Sequence, residues 1–239
     1  MKLYDECLIG VEELLADFPV EDLSLEGADG WEDLGNNQVF FAADTAFELG
    51  GNGKAALSSI AFTDQTEFVP KDEVFLVGKD LPDLTGPTPY ARITFLRAGD
   101  QALGTGQKLY SVLRKIEYTR YHTSPEGFMM RISAFSHREA VRVSKAGLRK
   151  GLNFAKVGKV FIDAYKAHPA VEAVKVFFIT DPDFPYEKLE AIMERSEQIT
   201  TALDHLMRDV KMDCNTCSLK EVCDEVEALV EIDFPENTP

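Results

Sequence analysis

The sequence predicts an α/β (or α+β) fold, a mixed sheet with helices packed on it, followed by a cysteine-rich C-terminal tail. Three observations lead there. Short apolar runs of strand length alternate along the chain with stretches of helical periodicity. The 239 residues are 45% hydrophobic and 10% aromatic, enough to bury a sizeable core. Three of the four cysteines crowd into residues 214–223, beyond the last long periodic stretch.

The elements follow in order. Residues 3–18 predict a helix, because Leu3, Cys7, Val11, Leu14 and Phe18 form one apolar stripe ended by Pro19. Residues 21–37 are acidic and Gly-rich and read as a loop; Trp31 within it either anchors the loop or faces a partner. A strand is expected at Gln38–Ala43 and a Gly-rich turn at Glu48–Lys54. Residues 55–63 fit a helix or a strand equally. Glu73–Gly78 and Ala91–Leu96 read as strands around a proline-punctuated loop. A helix is expected over 107–121 and a strand over Phe128–Ala134. Ser136 with Glu139 three residues on gives a capping-box pattern, which predicts a helix over 137–149. Helices at 152–167 and 186–212 flank Val174–Thr180, the most apolar strand. This divides the chain into an N-terminal helix and acidic loop (1–35), an α/β domain (36–212), and a cysteine cluster with an acidic, solvating tail (213–239).

Charge is uneven. Residues 107–160 hold twelve Lys/Arg and three acids, or +9, within a chain of net charge −16. The rest of the chain therefore sums to −25 and disfavours nucleic acid and anionic membranes. Arginine forks in the basic stretch suit phosphate or carboxylate oxygens, an acidic partner, or the chain's own acidic ends. No apolar run approaches the ~18–20 residues of a membrane span, and the N-terminus lacks a signal-peptide pattern, so a cytoplasmic location is expected.

Cys214, Cys217 and Cys223 form C-x2-C-x5-C. Thiolates at that spacing can wrap a compact metal centre from one short segment. Three thiolates neither close a Zn²⁺ tetrahedron nor fill a [4Fe–4S] cluster, so a fourth ligand is needed. Cys7 is one candidate, although it also fits a plain core position on its helix. His205 is the other and would give a Cys3His zinc site. A distant cysteine joined to C-x2-C-x5-C is similar to the iron–sulfur staple of certain nucleases and radical enzymes, whose catalytic motifs are absent here. Other motifs fail. Gly50–Lys54 departs twice from the phosphate-loop pattern, no HExxH or G-x-S-x-G occurs, and Asp181 and Asp183 suit helix capping.

Several short segments carry a resemblance. They are Glu48-Leu49-Gly50-Gly51, Val77-Gly78, Asp80-Leu81-Pro82-Asp83-Leu84, Pro89-Tyr90, Met130-Arg131-Ile132-Ser133 and Phe178-Ile179-Thr180-Asp181. In order and spacing they resemble the domain that precedes the metal site in the acetyl-CoA synthase (beta) subunit of carbon monoxide dehydrogenase/acetyl-CoA synthase. The stretch runs from about residue 36 to residue 217. In that family a C-x2-C follows the same long helix and opens the nickel–iron–sulfur site, and Cys214 and Cys217 match it. Cys223 departs from the pattern, arriving after five residues instead of eight, and the later Cys-Gly-Cys nickel site has no counterpart. The resemblance therefore implies a truncated relative, non-catalytic by itself, that carries a [4Fe–4S] cluster. Its expected role is electron transfer or docking to a redox, corrinoid or one-carbon enzyme in an anaerobe. It also implies an arginine-rich site for CoA, with Arg120, Arg131 and Arg138 as candidates. Such a site would make the chain a component of a split synthase. A zinc-stabilised interaction module is the remaining alternative.

Overall fold

The computed structural model describes residues 3–35, 38–99, 106–133, 137–207 and 217–233. It is mixed α/β, as the alternation predicts. The elements run α1 (Asp5–Leu15), β1 (Glu21–Asp22), β2 (Thr45–Leu49), β3 (Ala56–Thr63), β4 (Glu73–Val77), β5 (Tyr90–Ala98) and α2 (Gly106–His122). They continue with β6 (Phe128–Ile132), β7 (Glu139–Ser144), α3 (Lys145–Arg149), α4 (Phe154–Lys166), β8 (Val171–Ile179), α5 (Tyr186–Met207) and α6 (Lys220–Asp233).

Five strands form the main sheet in the order β1-β4-β8-β5-β3. β4 runs parallel to β8 and β3 parallel to β5, while β5 and β8 are antiparallel. β8 thus lies at the centre, and eight of its nine residues are buried, which explains its largely apolar sequence, broken only by Glu172 and Lys175. Both faces are covered. On one side Phe154 of α4 stacks on Phe178 at 4.4 Å. Gly158 lets α4 approach β4, since a Cβ there would collide with the methyls of Val74. On the other side α1 and α5 pack over β3, and Phe177 stacks on Phe75 and meets Phe95 edge-on.

A second sheet, β2-β7-β6, is antiparallel throughout. The turn before β3 needs glycine at position 50, where φ is +68° and a Cβ would strike Ala56. Residues 55–63, ambiguous by pattern, form the parallel edge strand β3.

Three expectations are corrected. The segment 38–43 is not a strand: Val39 and Phe41 are exposed, and the strand begins at Thr45. The Gln38 side chain pins this segment by donating to Ser124 Oγ (2.8 Å) and Pro125 O (3.0 Å). Residues 137–149 are not one helix. Glu139, Val141 and Val143 alternate inward on strand β7, and only Lys145–Arg149 turns helical, capped by Ser144. The tail is not wholly solvating, because α6 packs on α5 with Val222 and Val226 buried. Trp31 is an anchor: its indole N–H donates to Glu126 O (3.0 Å) and its ring lies beneath the Lys156 ammonium. Among the described residues, no helix is long and apolar enough to cross a membrane.

Candidate functional site

The candidate residues fall in three places. The first is the cysteine segment. Cys217 and Cys223 bracket the first turn of α6: Lys220 N donates to Cys217 O (3.2 Å), and Cys223 N donates to Leu219 O (2.9 Å). The turn between them fixes their separation, and both are half-buried. Cys214 lies outside the described residues. Among the described residues, no three His, Cys, Asp or Glu side chains are grouped to hold a metal ion.

Cys7 sits elsewhere. It is buried on α1 and lines a small cavity with Val11, Ile192 and Met193. Burial pushes its thiol up to about 11, with Arg195 opposing the shift and Glu6 adding to it. A thiol so shifted stays protonated at neutral pH and reacts slowly. Native protein at pH 7.5, a value chosen well below that shift, should therefore show Cys7 as its slowest cysteine toward iodoacetamide; mass spectrometry reads the rate, and alkylation as fast as that of Cys217 would refute the burial assignment. His205 is half-buried near the end of α5.

The second place is the outer face of the small sheet. Arg131 on β6 pairs with Ala140, and Ser133 N donates to Arg138 O, so these positions share one face. Arg142 of β7 lies on the same face, opposite Glu48 of β2. Its Nε donates to Glu48 Oε1 at 2.7 Å, and Arg131 stands 4.0 Å from the same oxygen. One carboxylate thus serves two arginines. Arg131 and Arg138 are exposed. Arg142, which motif reasoning did not single out, joins them because residues 137–149 contain a strand, whose period of two aligns it with Arg138. Arg120 does not join them. It is buried on α2 and lies beside Met130 and Ile132, which alternate to the other side of β6 from Arg131.

The third place was invisible to motif reading. Arg92 of β5 and Glu139 of β7 form an ion pair with both side chains 0% exposed. Arg92 Nε donates to Glu139 Oε1 (2.9 Å), Tyr90 Oη donates to the same oxygen (3.1 Å), and Arg92 Nη2 donates to Ser58 Oγ (3.2 Å). The guanidinium also lies 4.0 Å from the centre of the Phe161 ring. Burial lowers the pKa of Arg92, but the adjacent Glu139 carboxylate more than offsets it and the net shift is upward. With no access to solvent, this pair joins the two sheets and does not face a substrate.

The family signal covers this same framework. The CO dehydrogenase/acetyl-CoA synthase complex beta subunit family matches residues 38–184, more than half of the chain. The chain belongs to this family. Among relatives of the beta subunit, it is 26% identical over 185 residues to acetyl-CoA decarbonylase/synthase complex subunit beta 1 of Methanocaldococcus jannaschii. That alignment covers 73% of this chain and 23% of the relative, so the chain spans about a quarter of that protein's length. The beta-subunit match takes in every strand of the two sheets except β1, together with α2, the arginine face and the Arg92–Glu139 pair. The cysteine segment lies beyond the matched residues.

Proposed function

We propose that this chain is an accessory member of the beta-subunit family, non-catalytic by itself, that holds an iron–sulfur centre for electron transfer or docking to a one-carbon or corrinoid enzyme. The observation that carries the reading is the bracketing of α6's first turn by Cys217 and Cys223, soon after the family domain. The positive end of a helix dipole favours thiolates, and so favours these two as ligands. Cys214 would supply the third thiolate, with Cys7 or His205 as the fourth donor. A bound [4Fe–4S] cluster would supply one-electron transfer. The protein's own part is to fix two ligands on a packed helix and to present an acidic surface to a basic partner.

The test is anaerobic purification followed by metal analysis and a visible spectrum. Roughly four irons per chain with brown absorbance is the expected result, and iron should be lost in Cys217→Ser. One colourless zinc would overturn the cluster and make His205→Ala the next variant. Unchanged iron in Cys7→Ser would remove Cys7 from the ligand set.

A second reading has its own observation. Arg131, Arg138 and Arg142 share an open face with one carboxylate between them. Bidentate guanidinium groups suit the phosphates of CoA. CoA affinity should fall with salt and in Arg131→Ala. Absence of binding at low salt in a calorimetric titration would end this reading.

A further inference from the structure

We propose that the outer edge of β6 takes up an extended segment of a partner protein as an added strand, one in which acidic and apolar side chains alternate. This surface is independent of the cysteine segment.

The two edges of the small sheet differ. β2 is closed on its outer side, where Gly50 N donates to Thr88 O (2.8 Å) and Thr88 N donates to Glu48 O (3.2 Å). β6 forms the other edge and, among the described residues, pairs with β7 alone. In an antiparallel pair only alternate residues exchange backbone bonds across the ladder. The flanking bonds set the phase: Ser144 N donates to Gly127 O, and Ser133 N donates to Arg138 O, both at 2.9 Å. Met129 and Arg131 therefore bond to their register partners Arg142 and Ala140. The N–H and C=O groups of Met130 and Ile132 point the opposite way, in the plane of the sheet. They have no partner among the described residues. Such a row of unpaired groups is a template for a further strand.

The space beside this edge is open. A cavity of about 220 Å³ is lined by Met130 and Ile132 together with Gln38, Tyr121 and Thr123, and no carboxylate lines it. A cavity of ~150 Å³ accommodates benzene, so there is room here for an apolar side chain of the incoming segment. Side chains alternate along a strand. Those of the added strand that enter the cavity lie on the Met130 and Ile132 side, and those between them lie on the Arg131 side.

Charge sets the partner. On the outer side Arg131, 58% exposed, and Arg142 share the one carboxylate of Glu48, and Arg138 is exposed beside them. Acidic residues at the outward positions of the added strand meet this surplus of positive charge. A second copy of this chain does not. Joining β6 to β6 would set Arg131 of both copies on one face, where like charges repel.

The test uses the full chain at low ionic strength and a capped synthetic peptide, Thr-Val-Asp-Val-Asp-Val-Thr, with lysine in place of aspartate as the control. Fluorescence anisotropy should show saturable binding of the acidic peptide, about 10-fold tighter than the lysine peptide. Bound peptide should slow amide hydrogen exchange at Met130 and Ile132 and leave Arg131, already bonded to β7, little changed. Ile132→Pro removes an outward donor where an edge strand tolerates proline, and should weaken binding about 10-fold, the worth of one hydrogen bond. Arg131→Glu changes an exposed side chain, leaves folding intact and should abolish the preference for the acidic peptide. No binding of the acidic peptide, equal binding of the two peptides, or binding without slowed exchange at Met130 and Ile132 overturns the proposal. So does protection of these amides in the free chain that grows with protein concentration, which would mark a second copy as the occupant. Exchange at these two amides separates strand addition from phosphate binding at Arg131, so failure here leaves the iron and CoA readings standing.

Discussion

Replacing Arg92 by Met is expected to cost about 3–5 kcal/mol of stability, the usual cost of leaving a buried charge without its partner. Glu139 is 0% exposed and has no water to turn to. Total stability of a domain is typically ~5–15 kcal/mol, so this one change removes a large share. The double variant Arg92→Met/Glu139→Leu should recover most of the loss, since two apolar groups of similar volume satisfy the site without desolvating charge. It leaves the Tyr90 hydroxyl without its acceptor, and recovery should therefore fall short of complete. Urea unfolding measures both variants. A single-variant loss below about 1 kcal/mol, or a double variant no better than the single, would show that the pair does not clamp the sheets.

Phe154→Ala should be nearly as damaging, at about 3–5 kcal/mol. The ring is 0% exposed and touches three others: Phe178 at 4.4 Å, Phe128 at 6.3 Å and Tyr90 at 6.4 Å between centroids. The backbone there cannot settle into the vacancy. Phe154 N donates to Asp80 Oδ1 (2.8 Å), and Asn153 caps the helix by accepting from Lys156 N (2.9 Å). A rigid site collapses poorly, which places the cost toward the upper end. The urea midpoint should drop with the slope unchanged. A loss below about 1 kcal/mol would mean that the surrounding rings close the cavity.

Much of the fold was legible where one face of an element is buried. α1, α2, α4 and α5 follow their apolar stripes, and β4, β5, β6 and β8 follow short runs rich in β-branched and aromatic residues. Residues 137–149 misled because Ser136 and Glu139 match a helix start. The competing signal was Glu139, Val141 and Val143 at spacing two. A buried glutamate reads as a surface residue until its partner is known, and Arg92 lies on another strand far back in the chain. The same long-range pairing kept the inter-sheet clamp out of sight. At the candidate sites, spacing alone could not say which arginines share a face: Arg131 and Arg138 lie on one side of the small sheet, while Arg120 is buried on α2. Which side of β6 each arginine takes is fixed by strand register, which no local motif encodes.

The central place of β8 bears on how the protein is made. β4 and β5 leave the ribosome early, yet neither can pair on its inner edge until Ile179 has emerged. Until then the nascent chain carries two apolar strands with open backbone edges, the condition that invites mispairing and chaperone capture. A stalled or proteolysed chain ending before β8 would lack the strand that joins the halves of the sheet. Such a fragment should accumulate as aggregate, whereas a nick in the exposed stretch after α1 would leave the sheet assembled.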